Sequence, residues 1–242
     1  MASETSESLQ KEITRRQANA YAREQFAALG QFVQAFEVVV ANLRRDCGQI
    51  TRGSKRGITM DGRSITTITQ WRISELIFSH NVMTAQPLLI LWRALLYEAT
   101  LAILDLSEEG RTIALAVATQ IAGDFTKVIE CRNDIIHATW QIGHPFSWED
   151  PTRIMVGKTA VTAKGLTAKD SLPTSAGELY VLTRSCYGIN NMLGGLLQYL
   201  YWEPQNIGKV FVKRKASAEL AERWLFTPVI SKPASKPRSS RG

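Results

Sequence analysis

The stretch FAALGQFVQAFEVVVANLRRDC, residues 26–47, decides the fold class. Phe26, Leu29, Val33, Phe36, Val40, Leu43 and Cys47 follow one another at intervals of three and four, which puts all seven on one narrow stripe of an α-helix. Such a stripe is buried against other helices and not against solvent. The chain therefore reads as a helical bundle whose first long element runs from about Thr14 to Cys47. Ahead of it, MASETSESLQKEITRRQ is polar and mixed in charge, without the apolar run of a secretory leader, so residues 1–13 are expected to be a flexible N-terminus.

Beyond this helix, residues 44–63 form a Gly-rich segment with six Lys/Arg and two Asp, expected as an exposed basic loop. ISELIFSHN and residues 87–106 give a second helical region, with Pro87 in the first turn of its main helix and Gly110 as its C-terminal cap. The run PLLILWRALLYEATLAILDL is long enough to span a bilayer, but Arg93, Glu98 and Asp105 interrupt it, which argues for a buried helix of a soluble, cytoplasmic protein. Residues 112–138 form a third helical region, in which Gly123-Asp124 is expected to mark a break with Asp124 capping a new helix. Residues 144–172 lack helical period and read as a loop with a short strand pair turning at Lys164-Gly165. The last core helix follows, with Thr174 or Ser175 as N-cap and Leu179, Leu182, Cys186, Ile189, Leu193 and Leu197 on one face. ASAELAERWLF is expected to form a short helix, and the tail from about residue 231 to be disordered by composition. The fold class is thus mainly all-α: a four-to-five-helix bundle over 14–203 with a small β-hairpin insertion before the last core helix, and a basic extension over 204–242.

At 242 residues and 45% hydrophobic content, the chain can bury a sizeable core as one compact domain. Its net charge of +7 is unevenly placed, because nine Lys/Arg and only two Glu lie between Lys209 and Gly242 and the rest of the chain is neutral. Two basic clusters on a balanced body point to polyanion contact, with Arg44, Arg45, Arg52, Lys55 and Arg56 in one and Lys213, Arg214 and Lys215 in the other; ordinary solubilising charge is the plainer alternative. Cys47, Cys131 and Cys186 stand far apart, odd in number and without CxxC spacing, so they read as reduced core cysteines, with no structural metal expected.

The segment VIECRNDIIHATWQIG, residues 128–143, carries the chemistry. Asn133 and His137 share a helix face, four positions apart, and Arg132 stands about 100° round from Asn133. A guanidinium offers a planar fork of donors to a phosphate, a carboxamide can orient a partner, and an imidazole can move a proton near neutral pH. Metal-independent RNA cleavage suits this set, since the substrate's own 2′-OH is the nucleophile. In-line attack places base and acid on opposite sides of phosphorus, which one imidazole cannot easily serve, so a two-fold dimer bringing two copies together is expected. The plainer alternatives are a helix-ending imidazole that caps a carbonyl, and an arginine paired with Glu130 or Asp134. Trp140 and Trp148 are expected to close the core beneath the insertion, His144 to be structural, and His80 to have no role.

At these residues the sequence resembles the HEPN superfamily, whose R-x4-6-H motif RNDIIH fits. The order of elements is similar too: a long first helix, an apolar second, the motif ending the third, and a final helix after an insertion. The resemblance implies an all-α homodimer and a metal-independent endoribonuclease of toxin or phage-defence type, needing no cofactor. Arg132 and His137 are then the catalytic pair and Asn133 the polar residue after the arginine; an antitoxin or other regulator becomes a further expected partner. Where such sequences often have glycine after the histidine, this chain has Ala138. The competing reading is a non-catalytic helical protein that binds partners or nucleic acid.

Overall fold

The computed structural model describes residues 2–52, 59–60, 63–64, 83–103, 105–142, 154–162, 165–169, 175–216 and 222–228. Among them are five α-helices: α1 (Ala2–Arg52), α2 (Ala85–Ala102), α3 (Glu108–Ile136), α4 (Ala176–Trp202) and the short α5 (Ile207–Val210). α1 packs on α2 and on α4, and α3 closes the ring against the same two. The fold is thus mainly all-α, with small β insertions, as the helical stripes require.

The core-facing side of α1 is rotated from the expected stripe in its N-terminal half. Phe36, Val40, Leu43 and Cys47 are buried as read, but Phe32 takes the place of Val33, and Phe26 is 58% exposed. The buried set there is Gln25, Ala28, Phe32 and Ala35. Two small residues and a polar one occupy core positions that a search for bulky apolar residues passes over. Helical backbone also extends past both expected ends, to Ala2 and Arg52. Across the core, the Phe36 and Phe125 rings lie 5.4 Å apart, Phe32 follows at 6.5 Å from Phe36, and Trp92 is fully shielded. Each such side chain contributes about 1.5–3 kcal/mol by leaving water.

Three boundaries differ from expectation for local reasons. Gly110 does not cap α2, which ends at Ala102. It lies in the first turn of α3, whose N-cap Ser107 accepts a hydrogen bond from the Gly110 N–H at 3.0 Å. A side chain there would meet Leu106 at 2.9 Å and Ile207 at 3.1 Å, so Gly110 serves close packing. α3 runs unbroken through Gly123-Asp124, and Asp124 instead pairs with Arg223. Residues 223–226 of the expected final helix are a strand.

Helix α4 begins as read, with Ser175 and Glu178 forming a reciprocal capping box, and Pro87 sits in the first turn of α2. The described strands form three small antiparallel sheets: β1 (Thr59–Met60) with β2 (Arg63–Ser64), β3 (Thr139–Ile142) with β4 (Ile154–Thr162) and β5 (Gly165–Lys169), and β6 (Phe211–Arg214) with β7 (Arg223–Phe226). The insertion hairpin pairs Thr162 with Gly165, and Lys164 of the expected turn lies outside the described residues. β3 adds a third strand where the sequence pattern predicts only a pair.

The β6–β7 hairpin is fastened to the bundle. The Gln120 side chain accepts from the Trp224 N–H at 2.7 Å and donates to its carbonyl at 3.0 Å, bridging β7 much as a neighbouring strand would. Phe226 lies over Gly195 of α4, where a Cβ would come within 2.6 Å of the ring. Two helical stretches, Arg15–Thr51 and Glu108–Ile136, are long and apolar enough to cross a bilayer by composition alone. Their apolar positions supply much of the bundle core, an arrangement compatible with a soluble protein. ISELIFSHN, His80, the Trp140 side chain, His144, Trp148 and the tail from 231 lie outside the described residues.

Candidate active site

Arg132, Asn133 and His137 occupy the last turns of α3 and its end. His137 is the C-cap, with φ −93° and ψ 4°, and its N–H donates to the Asn133 carbonyl at 3.2 Å. The Ala138 N–H donates to the Ile135 carbonyl at 3.3 Å, and the chain then enters β3 at Thr139. β-Branched Thr139 and Ile142 with aromatic Trp140 favour extended backbone over a further helical turn. The cap dihedrals at His137 demand no glycine.

The helix edge so formed is open. Asn133, Ile136 and His137 are exposed, Ile136 at 42%. At about 100° per residue, Arg132, Ile136, Asn133 and His137 succeed one another around a single side of α3, with the apolar Ile136 between the arginine and the asparagine. Among the described residues, no hydrogen bond or ion pair engages the His137 imidazole.

Arg132 is differently placed. Its guanidinium stands 5.4 Å over the Phe36 ring and 3.9 Å from the Glu37 carboxylate, both on α1, and its side chain is 29% exposed. A third contact, Nη1 to the Asn133 Oδ1, is 3.5 Å long, and Nε is buried with no hydrogen-bond partner. The ion-pair partner is thus on the neighbouring helix, where Glu130 and Asp134 of the same helix were the sequence-level alternatives. Sequence reasoning missed Glu37 and Phe36 as neighbours of the motif. Phe36 lay on the apolar stripe, but nothing local reveals which residue of another helix it meets.

The basic residues divide. Arg44 is half-buried and donates through Nη2 to the Met83 carbonyl at 3.3 Å, while its Nε is buried and unpartnered. Arg45 is exposed and approaches the Asp46 carboxylate at 3.5 Å, an ion-pair distance without hydrogen-bond geometry. Lys213 pairs with Glu222 at 3.0 Å, Arg214 is half-buried with an unpartnered Nε, and Lys215 is exposed. Arg52 ends α1, and Lys55 and Arg56 lie outside the described residues.

A further ionisable group appears inside the bundle. Asp46 is fully buried, and burial pushes its carboxyl up to about 7 against the opposing pull of Arg45. Burial, with the Asp46 charge second, raises the Cys47 thiol to about 12; burial alone raises Cys186 to about 12. Neither is a nucleophile near neutral pH. Cys131 is half-buried, a departure from the core position expected for it. None of the three cysteines is joined in a disulfide. Among the described residues, no three His, Cys, Asp or Glu side chains cluster as metal ligands.

Comparison with known protein families, with curated proteins and with solved structures returns no match.

Proposed function

We propose that the chain is a dimeric, metal-independent endoribonuclease of HEPN type, cytoplasmic and of bacterial toxin or phage-defence character. The observation that carries this reading is the open edge of α3, where the His137 imidazole is exposed beside Asn133 and within the same turns as Arg132. Two such edges related by a two-fold axis would present two imidazoles and two guanidiniums to one phosphodiester. One imidazole takes the proton of the 2′-OH as its oxygen attacks phosphorus. The other gives a proton to the departing 5′-oxygen, and the arginines stabilise the charge on the crowded phosphorus centre. The bond formed is 2′-O–P, the bond broken is P–O5′, and the products are a 2′,3′-cyclic phosphate and a 5′-OH. Asn133 orients substrate or imidazole, and the basic residues near the end of α1 and on β6 attract the strand.

Total RNA incubated with purified protein in EDTA is expected to yield cyclic or 3′-phosphate ends, and His137→Ala to abolish them while leaving the dimer intact. Undiminished cleavage by that variant removes the assignment. One observation favours the competing reading of a non-catalytic helical interaction or nucleic-acid-binding protein. Arg132 is seated on Phe36 and Glu37, as an arginine that holds α3 to α1 would be. That reading requires the same product ends to be absent from the wild-type reaction as well.

A further inference from the structure

A groove of about 1050 Å³ runs between α3, α4 and the β6–β7 hairpin. It lies on the side of α3 that carries Asp124, Lys127 and Cys131, turned away from Asn133 at about 100° per residue. Among the described residues its cations are Lys127, Arg184, Arg214 and Arg223, and the one carboxylate in its lining is Asp124, which Arg223 already pairs. Lys127 and Arg184 are exposed, and among the described residues neither has an ion-pair partner. Arg214 presents a buried Nε with no hydrogen-bond partner. Trp224 is part of the lining, half-buried with one side packed against the bundle core and its backbone held by Gln120. Pro228 is also in the lining, and the sequence after it carries Lys232, Lys236, Arg238 and Arg241 and no acidic residue.

We infer that this groove binds a single strand of nucleic acid, its phosphates on Lys127, Arg184 and Arg214 and a base against Trp224. Charge complementarity selects a polyanion, and a groove open to solvent lets a polymer chain lie along it. An indole beside several cations is a combination on which a base can stack while the backbone is neutralised. The choice of RNA over other polyanions rests on the proposed nuclease reading, but the test reads binding and not cleavage, so either can fail alone.

The test uses the full chain carrying His137→Ala, so that no probe is cut, and a fluorescein-labelled oligouridine of about 12 nucleotides. Anisotropy is followed from about 50 to about 200 mM salt. Lys127→Glu/Arg184→Glu is expected to weaken binding at least tenfold and to lower the slope of log K against log salt by about 1.4, two phosphate contacts at about 0.7 each. Arg184→Gln, at an exposed helical position, is the milder second variant and should lower the slope by about 0.7. Affinity and slope unchanged in both overturn the inference. So does a labelled oligoglutamate of equal length that binds as tightly as the oligouridine and is lost in the same variants, which would assign the groove to an acidic protein.

Discussion

Asp46 is the residue whose energetics are most out of keeping with its surroundings. It lies on the inward side of α1, next to Cys47, with both carboxylate oxygens buried and without a hydrogen bond. Its folded-state pKa of about 7 stands above the ordinary 3.8, so the native state holds the proton more tightly than the unfolded chain does. The contribution of Asp46 to stability is therefore undiminished below about pH 4 and is lost as pH rises towards 7, by about 4 kcal/mol over the whole window. Asp46→Asn is expected to match the wild type in urea unfolding at pH 4 and to exceed it by a few kcal/mol at pH 8. Equal midpoints at pH 8 would show that the carboxylate finds compensation. At the motif, Glu37 pairs with Arg132 and, in the proposed reaction, would compete with the phosphate for it. Glu37→Gln should raise RNA cleavage roughly twofold, the release of a partly exposed ion pair of about 0.5 kcal/mol; a fall in cleavage would mean that Glu37 positions the arginine. Of these residues, Asn133 and His137 were legible from spacing alone, because one helix fixes their common face. Glu37 and Asp46 were not, because their roles are set by what a second helix brings against them.

Among the elements, the long helices declare themselves through bulky side chains at three- and four-residue intervals, and the ends and hairpins do not. α3 and α4 illustrate the difference. Gly123 and Gly194-Gly195 look like weak points in a helical pattern, yet both helices pass through them. The reason differs by position. A methyl group on Gly194 would meet nothing within 4 Å, whereas one on Gly195 would be driven into the Phe226 ring, itself packed 5.2 Å from Phe211 and 6.2 Å from Tyr199. Gly194→Ala should therefore stabilise the protein by up to about 1 kcal/mol through helix propensity. Gly195→Ala should lose about 1–3 kcal/mol as the β6–β7 hairpin is pushed off α4. Thermal melts of the two variants decide the matter, and a Gly195→Ala protein as stable as Gly194→Ala would mean that the hairpin does not bear on α4. No sequence period foretells that contact, since a four-residue strand is too short to show one and its anchor is the absence of a side chain about thirty residues earlier.

For the whole molecule, the arrangement of α1 to α4 leaves the motif edge of α3 on the outside of the ring, so among the described residues a single copy offers one imidazole there and a guanidinium tied to α1. The chemistry proposed needs two copies, and the surface that would join them must include that edge. Ile136, apolar and 42% exposed between Arg132 and Asn133, is where such a contact would place its buried centre. A charge there would be stranded against its two-fold copy, while the same charge on a free monomer would sit in water at little cost. Ile136→Glu is therefore expected to leave the melting temperature of the isolated fold within a degree or two, to convert the proposed dimer to monomer in sedimentation, and to reduce the proposed cleavage at least a hundredfold. Mixing it with an excess of wild type should restore nothing beyond the activity of the wild type alone. A fully active Ile136→Glu monomer would put the cleaving groups within one chain, and a dimer that survives the change would place the two-fold axis on another face of the bundle.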